Sequence, residues 1–499
     1  MAALLPPQNS PKITHLDTAW SARTMAKNDL VLVVVNGNSP EKLLRQCQRS
    51  LELIHQYRRL NLDTPPALLQ LSGTQQLAGV LLIFVKNGLS TFEQLQAMAK
   101  LCKAAAGMQA SRVALGTLGF AVAESQTLLN TLLAAVLAGS ATLPSYKRKP
   151  PTQQLTEITL HGGGTAASYA TTIATQAGNH LARWLTSLPP NELNCGSYRR
   201  TLQQLAKREG WEFEFLNLAA LQKRQAGAFL AVARANANTD AGIVRLSYRA
   251  KSSKKKRRTL CLVGKGICFD TGGINLKTHK GMVDMHTDMQ GSAVAVGTLL
   301  ALSQLKAPVD VECWLALTEN EIGPQAYRPQ EVITAANGTT IQVVHSDAEG
   351  RMVLADTLAL ATLQQPDLII DFATLTGACV AALTERMSGA FTNRATLRDA
   401  IEAAGRTSGE RVWGFPMDTD FDADLESPIA DIMQCTMDNK GDHILAARFL
   451  NHFVPESVPW VHLDLSSASR AGGLAHIPTE ITGFGVRWAV EFVTHHAFT

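Results

Sequence analysis

The chain is organised around the stretch LVGKGICFDTGGINLKTHKGMVDMHTDMQGSA, residues 262–293. It begins as an apolar β-type run that carries Lys265 and ends at Asp270, and its loop reaches Asp288 just before a helix-like run at residues 291–305. Lys265 and Asp270 lie on opposite faces of a regular strand, so their side chains converge only if the strand bends, and the neighbouring glycines permit that bend. A buried strand that carries both charges indicates a functional site.

A second stretch, HSDAEGRMVLAD at residues 345–356, adds further charge. In an extended segment residues two apart share a face, so we expect Asp347, Glu349 and Arg351 to project together. With Asp270 and Asp288 of the first stretch this makes four carboxylates, and such oxygen-rich clusters hold divalent cations, often in pairs. The alternative is a surface network of ion pairs, but these charges interrupt apolar elements instead of lying on polar faces. We therefore predict a two-metal site.

Several motifs resemble the leucyl aminopeptidase (cytosol aminopeptidase) family of dinuclear metallopeptidases: VGKGICFDTGGINLK, the spaced Asp288 and DAEGRMVLADTL. The likeness covers residues 184–499 and includes LPPNELNCGSY at 188–198, ENEIGPQAYRPQEVI at 319–333, DFATLTGA at 371–378, WVHLDLSS at 460–467 and TGFGVR at 482–487. The sequence departs from the family pattern at two places. His345 and Ser346 replace the usual Asn-Thr, and Gln330 and Glu331 replace the usual Gly-Asp. Neither departure removes a ligand. They bear on substrate preference and pH optimum.

The resemblance implies two divalent metal ions per subunit, zinc or manganese, held by Lys265, Asp270, Asp288, Asp347 and Glu349. A lysine ligand must lose its proton, and adjacent dications depress the pKa of such a lysine. The ions would activate a water for peptide hydrolysis and anchor the free α-amine. The implied function is removal of the N-terminal residue, leucine-like or otherwise apolar, from peptides. Three nearby histidines are not counted as ligands, because the family uses lysine and carboxylates: His279, His286 and His345.

Two further positions match catalytic residues of the family. Lys277 corresponds to a protonated donor that stabilises the negative charge developing on the substrate. Arg351 corresponds to the arginine that holds a bicarbonate ion, which serves as general base. Met285, Thr374 and Gly377 match positions lining the pocket for the first substrate side chain, and their type suggests an apolar pocket. On residue type alone, Lys277 could be a surface lysine, Arg351 an ion-pair partner and Met285 a core residue.

The first third of the chain alternates strand-like and helix-like runs, which predicts an α/β domain. Strands are expected at 29–35, 67–71, 79–85 and 112–118, and helices at 41–57, 91–107 and 124–140. The α/β fold class thus predicted has a small N-terminal domain at 1–150 with a structural or assembly role, a linker with a long helix at 151–188, and a larger catalytic domain with a central mixed sheet at 189–499. The resemblance also implies a homohexamer.

Composition excludes other classes of protein. With 46% hydrophobic and 18% charged residues, the chain is expected to be globular and well cored and not disordered. The N-terminus lacks a signal pattern, and no run reaches the roughly 18 apolar residues that a membrane span requires. Eight scattered cysteines suggest reduced thiols. We therefore expect a cytoplasmic protein without a membrane partner.

A basic loop at residues 251–258, KSSKKKRR, suggests a different partner. It lies between strand candidates at 243–248 and 259–264, where a solvated hairpin loop is the favoured interpretation. No aromatic residues are interleaved, so stacking on bases has no support, and the net charge of +4 is small. Nucleic-acid binding by this loop stays as the alternative, recognisable by salt-dependent affinity. A catalytically silent homologue is disfavoured because every ligand and catalytic position is present.

Overall fold

A computed structural model of the chain describes residues 4–8, 10–17, 28–38, 40–45, 67–74, 77–86, 88–108, 110–149, 155–251, 257–438 and 440–498. The chain divides into two compact units. The smaller contains residues 7–176 and 471–480, and the larger centres on residues 177–470 and 481–499. The division falls within the helix Ala170–Thr186.

A six-stranded sheet forms the smaller unit. Its strands are β1 (Lys12–Leu16), β2 (Leu30–Asn36), β3 (Ala67–Thr74), β4 (Leu77–Val85), β5 (Arg112–Leu118) and β6 (Glu157–His161). Their order is β1-β6-β5-β2-β4-β3, and each neighbouring pair is parallel except β4 with β3. The apolar residues of β2 are buried, as expected of a strand with parallel neighbours on both sides. The four predicted strands are confirmed, whereas β1 and β6 were not predicted.

The helices of the first third are α1 (Pro40–Leu44), α2 (Thr91–Ala105), α3 (Val122–Ser140) and α4 (Ala170–Thr186). The start of α2 is fixed by a capping box, in which Ser90 Oγ accepts from Glu93 N and the Glu93 carboxylate accepts from Ser90 N. The helices predicted at 91–107 and 124–140 are confirmed, and α4 lies within the stretch 151–188 that was predicted as a linker. Beyond residue 45, the helix predicted at 41–57 lies outside the described residues.

An eight-stranded mixed sheet forms the centre of the larger unit. Its strands are β7 (Glu212–Asn217), β8 (Gly242–Tyr248), β9 (Thr259–Asp270), β10 (Asp310–Asn320), β13 (Leu368–Ala373), β14 (Ser388–Thr392), β15 (Val412–Gly414) and β17 (Trp460–Asp464). The order is β15-β14-β17-β13-β9-β10-β8-β7, and the inner strands β17, β13, β9 and β10 are parallel. A small sheet contains β11 (Val332–Thr334), β12 (Thr340–Gln342) and β16 (Ile432–Met433). The α/β fold with a central mixed sheet is confirmed.

The helices of the larger unit after α4 are α5 (Cys195–Glu209), α6 (Leu218–Lys223), α7 (Gly227–Ala233), α8 (His279–Met282), α9 (Gln290–Gln304), α10 (Glu349–Thr362), α11 (Gly377–Leu383), α12 (Arg398–Ser408), α13 (Asp442–Asn451) and α14 (Val486–His495). Two of them, α9 and α10, are buried along nearly their whole length. A helix that is apolar on all sides belongs in a protein interior. Both lie against β9, the strand that carries the first motif.

The hairpin predicted around the basic loop is wrong. A hairpin requires β8 and β9 to pair directly, but β10 lies between them, antiparallel to β8 and parallel to β9. Residues 252–256 lie outside the described part of the chain. Directly after these residues, Arg257 forms an ion pair with Asp310 at 3.0 Å, and Arg258 forms one with Asp367 at 2.7 Å. These arginines therefore have partners within the fold.

Expectations on cysteines and membrane spans can be compared with the described residues. Cys261, Cys268, Cys313 and Cys379 are free and buried, which agrees with the expectation of reduced thiols. Within the described ranges, the helices are too short or too polar to cross a membrane.

Candidate metal centre

Polar residues follow the inner parallel strands of the larger sheet where these strands end. β9 ends at Asp270, its neighbour β10 ends at Asn320, and β13 leads directly into Thr374. Because the carboxyl ends of parallel strands meet at one edge of a sheet, these side chains come close together. The loop after β9 adds Lys277 and, just before α9, Asp288.

A bulge in β9 turns Lys265 and Asp270 toward each other. Ile267 pairs with Thr318 and Asp270 with Asn320, so β9 uses three residues where β10 uses two. The extra residue shifts the alternation of side chains by one position. Lys265 and Asp270, which a regular strand would place on opposite faces, therefore face the same side. The predicted bend is therefore present, in the form of a bulge. Both side chains are buried.

The second stretch is not extended, contrary to the prediction. Ser346 and Asp347 form a turn, closed by the hydrogen bond from Ala348 N to His345 O, and Glu349 begins the helix α10. From Met352 onward the residues of α10 are mostly apolar and buried, which suits a buried helix as well as a strand and conceals the start of the helix. Glu349 lies in the first turn, where a negative charge is favoured by the helix dipole. Arg351 follows in the same turn and is also buried.

Three carboxylates form the centre of the cluster. One oxygen from each of Asp270, Asp347 and Glu349 lies within 4.8 Å of the others. Within the described chain, this is the group of His, Cys, Asp and Glu side chains close enough to share an ion, and it contains no histidine. His345 has another role, because its Nδ1 accepts a hydrogen bond from Asp347 N at 3.2 Å.

Lys265 joins two acidic side chains from different parts of the chain. Its Nζ lies 2.8 Å from Asp288 Oδ2 and 3.0 Å from Glu349 Oε1, and it donates to Thr374 O at 3.0 Å. Burial alone would lower the pKa of Lys265, but Asp288 and Glu349 outweigh burial and raise it. With these partners alone, Lys265 is an ammonium.

Lys277 makes the corresponding pairs on the other side of the cluster. Its Nζ lies 2.9 Å from Asp270 Oδ2 and 2.6 Å from Asp347 Oδ1. Burial opposes the charge here too, yet Asp270 and Glu349 raise the pKa of Lys277 above its ordinary range. Lys277 is thus a partly buried, protonated donor.

The carboxylates carry more negative charge than the two lysines balance. Burial, together with the neighbouring Asp270, raises the pKa of Asp288 to about 6 and that of Glu349 to about 8, although Lys265 opposes both shifts. Burial also raises the pKa of Asp347. Shifts in this direction show that the site favours any added positive charge, whether a proton or a metal ion.

The donor set fits divalent cations. Asp288 Oδ2 and Asp347 Oδ1 are buried, and each has a lysine Nζ close by, at 2.8 and 2.6 Å. Each of these oxygens therefore offers a negative charge to a cation inside the cluster. Carboxylate oxygens with a nitrogen donor suit manganese or zinc among the common divalent ions.

Asn320 holds the carboxylates in place and was not predicted as a site residue. Its Nδ2 donates to Asp270 Oδ1 at 2.9 Å, to Ser346 O at 3.0 Å and to Glu349 Oε2 at 3.2 Å. The sequence contained a signal for it, because Asn320 ends an apolar strand within the quoted motif at 319–333, as Asp270 ends β9.

Ser346, one of the departures from the family pattern, anchors the loop that carries Lys277. Ser346 Oγ donates to Gly272 O at 2.7 Å and accepts from Asn275 N at 2.8 Å. Ser346 N donates to Asn275 Oδ1 at 2.9 Å. At the other departure, Gln330 has a φ of 75°, a conformation that favours glycine.

Arg351 lies beside the carboxylate cluster but pairs with a residue from outside both motifs. Its Nη2 donates to both Asp442 oxygens at 2.8 Å, and its Nη1 donates to Gln434 O at 3.1 Å. The side chain of Arg351 is only 3% exposed. Asp442, which is 91 residues further along the chain, was not predicted as a site residue, and no local pattern distinguishes it.

The three predicted pocket residues occupy different surroundings. Thr374 is part of the cluster, because its Oγ1 donates to Asp288 Oδ1 at 2.7 Å. Gly377 begins α11 and is exposed, and a Cβ added there would meet nothing within 4 Å. Met285 is half-buried, directly after Asp284 and three residues before Asp288 along the chain.

Four carboxylates and two lysines at the carboxyl ends of parallel strands define an α/β enzyme with a metal centre. The profile of the cytosol aminopeptidase family, catalytic domain, matches residues 180–490. The chain therefore belongs to the cytosol aminopeptidase family, and it is a metal-dependent aminopeptidase, a hydrolase that acts on peptides.

Individual relatives agree with this assignment. A protein of Parasynechococcus marenigrum named "Probable cytosol aminopeptidase" is 37% identical over 410 residues, which cover 80% of this chain and 82% of that protein. A solved mutant of tomato leucine aminopeptidase has a TM-score of 0.84 and 26% identity and covers 98% of both chains. The bottromycin maturation enzyme BotP, solved in complex with Mn, has a TM-score of 0.81 and 27% identity over 94% of this chain and 99% of that chain.

Proposed function

We propose that the chain removes the N-terminal residue from peptides, with leucine-like or other apolar residues preferred, by means of two divalent metal ions. The observation that carries this proposal is the cluster of Asp270, Asp347 and Glu349, whose oxygens lie within 4.8 Å of one another. Three carboxylates at this spacing can bridge more than one cation. Zinc and manganese are the proposed ions, and the solved BotP complex with Mn supports the second.

Five side chains would hold these ions. Following the family resemblance, we assign Asp270 and Glu349 to both ions; the remaining ligands would be Lys265, Asp288 and Asp347. Lys265 would have to lose the proton that its acidic partners now hold. Bound at these residues, divalent ions would polarise the scissile carbonyl and lower the pKa of a water toward neutrality.

Lys277 is the proposed electrostatic catalyst. As an ammonium, 17% exposed on its side chain, it reaches the cluster and remains accessible to a substrate. Asp270 and Asp347 hold Nζ in place, so little reorganisation is needed when negative charge develops on the carbonyl oxygen. Neutral lysine could not provide this stabilisation.

The proposed pocket for the first side chain is lined by Met285, Thr374 and Gly377. The space at Gly377 supports this assignment, because a side chain is absent where the pocket would need room. Met285 offers an adaptable apolar wall. Thr374 links the pocket to the centre through Asp288.

Bicarbonate at Arg351, which the resemblance implies, does not fit the residues present. Both oxygens of Asp442 accept from Arg351 Nη2, so a carboxylate of the chain itself already balances the guanidinium. No catalytic step is therefore assigned to bicarbonate.

The first test is hydrolysis of leucyl-para-nitroanilide by metal-stripped protein, before and after zinc or manganese is added. We expect activity only with metal and two bound ions per chain by elemental analysis. Asp347→Ala should lose one ion, and its activity should fall by more than the roughly 10–100-fold that loss of an outer-shell partner causes.

The matched control is Asp284→Ala, which removes an exposed acid of the same loop. It should bind metal and hydrolyse substrate like the wild type. Activity in the stripped protein, or full metal binding and activity in Asp347→Ala, would refute the two-metal proposal.

Assembly as a homohexamer and a cytoplasmic location complete the proposal, and both rest on the family resemblance. Light scattering of the purified protein tests the first, since a hexamer has six times the mass of the 53.8 kDa chain. The structural or assembly role of residues 1–150 stays a prediction.

A further inference from the structure

Arg351 is a buried cation with one dedicated anionic partner. Both Asp442 oxygens lie 2.8 Å from Arg351 Nη2, and Arg351 Nη1 donates a hydrogen bond to Gln434 O. Although burial opposes the charge, Asp442 raises the pKa of Arg351, so the guanidinium is always charged. Charge-assisted contacts of this kind are among the strongest hydrogen bonds in proteins.

The backbone presents Asp442 to Arg351. Asp442 is the first residue of α13, and the preceding Gly441 has a φ of 63°, a turn that glycine adopts without strain. The following turns of α13 are anchored by buried Leu445, Ala446 and Phe449. The carboxylate is thus carried by a packed helix and not by a loose loop.

An anion from solvent would have to compete with this carboxylate. Arg351 is 3% and Asp442 14% exposed on their side chains, so Asp442 covers the approach to Nη2. Among the described residues, Arg351 Nε has no hydrogen-bond partner, so Nε and the second N–H of Nη1 are the donors left to a second anion. An anion there would share one positive charge with Asp442 and would lie near Glu349, which also acts on Arg351.

We propose that Asp442 is a built-in anion of the metal centre: its carboxylate occupies Arg351 in place of an exogenous bicarbonate, so the enzyme works without bicarbonate. Asp442 is then a positioning residue that holds the guanidinium beside Glu349. The expected effect on the rate of hydrolysis rests on the proposed function. The expected absence of bicarbonate binding concerns the Arg351 site alone.

The test combines kinetics with calorimetry on the metal-loaded full chain. Leucyl-para-nitroanilide hydrolysis is measured in buffer depleted of carbon dioxide and again with added sodium bicarbonate. We expect equal wild-type rates in both buffers and no heat of bicarbonate binding. Asp442→Ala should be slow in depleted buffer, recover about tenfold or more with bicarbonate, and bind bicarbonate in the calorimeter.

Two further variants complete the design. Asp442→Asn keeps the size and one acceptor for Arg351 but removes the charge, so it reports on the proposal if Asp442→Ala fails to fold by circular dichroism. Asp438→Ala removes an exposed acid that pairs with Lys440 in the segment before α13, and it should behave like the wild type.

Bicarbonate binding or stimulation in the wild type would overturn the proposal, and so would variants of Asp442 that neither bind nor respond to bicarbonate. If no form of the protein hydrolyses the substrate, the proposed function fails, while calorimetry still decides whether Asp442 excludes the anion.

Discussion

Lys277 differs from the other charged residues of the centre in being both paired and accessible. Its two carboxylate partners keep it protonated, and its charge opposes a nearby cation. Removing that charge therefore separates catalysis from metal binding.

We expect Lys277→Met to lower kcat by roughly 10²–10³, because a preorganised donor to the developing oxyanion is lost. Metal affinity should stay the same or rise, since an ammonium no longer repels the ions. Steady-state kinetics and metal titration measure the two effects. Lys280→Met, at an exposed lysine of the same loop, is the control and should alter neither. A normal kcat, or loss of metal, in Lys277→Met would contradict this role.

At the scale of residues, the sequence predicted which charges gather but not all of their partners. The motif residues lie together in the structure, and their roles stay predictions. Asn320 was predictable in principle, because it ends a strand as Asp270 does. Asp442 was not, because its contact with Arg351 spans 91 residues and depends on the packing of α13.

At the scale of elements, α9 lies unusually close to the sheet because glycines face each other there. A Cβ at Gly291 would lie 2.1 Å from Phe372 O of β13, and one at Gly264 of β9 would lie 2.5 Å from Ser292 Cα. This close approach fixes the start of α9, and with it Asp288.

Gly291→Ala should destabilise the protein by about 3 kcal/mol or more, because the backbone of β13 cannot yield to the added methyl group. Activity should fall as well, since α9 carries Asp288 with it. Urea unfolding and the peptidase assay measure the two effects.

Gly139→Ala is the matched control, because that glycine lies in α3 with nothing within 4 Å of an added Cβ. Removing its backbone freedom should stabilise by up to about 1 kcal/mol. Equal effects of the two substitutions would rule out the close contact.

The sequence predicted the type of most elements and failed where tertiary pairing decides. The apolar runs of α9 and β9 are long enough to be recognised. The turn at residues 345–348 and the insertion of β10 between β8 and β9 are not encoded by local periodicity. They follow from partners that are distant along the chain.

At the scale of the whole molecule, Glu410 links the stability of the larger unit to pH. It is buried, and its Oε2 accepts from Gly485 N at 2.9 Å and from Trp488 N at 2.8 Å, at the start of α14. Burial raises its pKa from 4.5 to about 7, against these hydrogen bonds. The folded state thus binds this proton more tightly than the unfolded state does.

Stability from this proton is full below about pH 4.5 and is lost as the pH rises through about 7, a total of roughly 3 kcal/mol. Glu410→Gln can keep both hydrogen bonds but cannot ionise. We expect it to be more stable than the wild type at pH 8, with the difference vanishing toward pH 4.5. Urea unfolding across this range is the measurement. Glu426→Gln, at an exposed position, should follow the wild type. A difference for Glu410→Gln that does not vary with pH would exclude linkage through this carboxyl.

The α/β class and the mixed central sheet were predictable because alternating apolar runs require such layers. The order of the strands was not, and neither was the contribution of β1 and β6 to the smaller sheet. Both are short and only partly buried, so they lack the long apolar run that identified β2.

Because of the bulge in β9, the charged cluster depends on the number of residues between Lys265 and Asp270 as well as on their identity. Between Ile267 and Asp270, the loss or gain of one residue would exchange the faces of the strand and separate Asp270 from Lys265. A distant relative can thus retain every charged residue of the motif and still lack the centre. The number of residues between this lysine and this aspartate therefore indicates whether a relative keeps the activity, independently of its percentage identity.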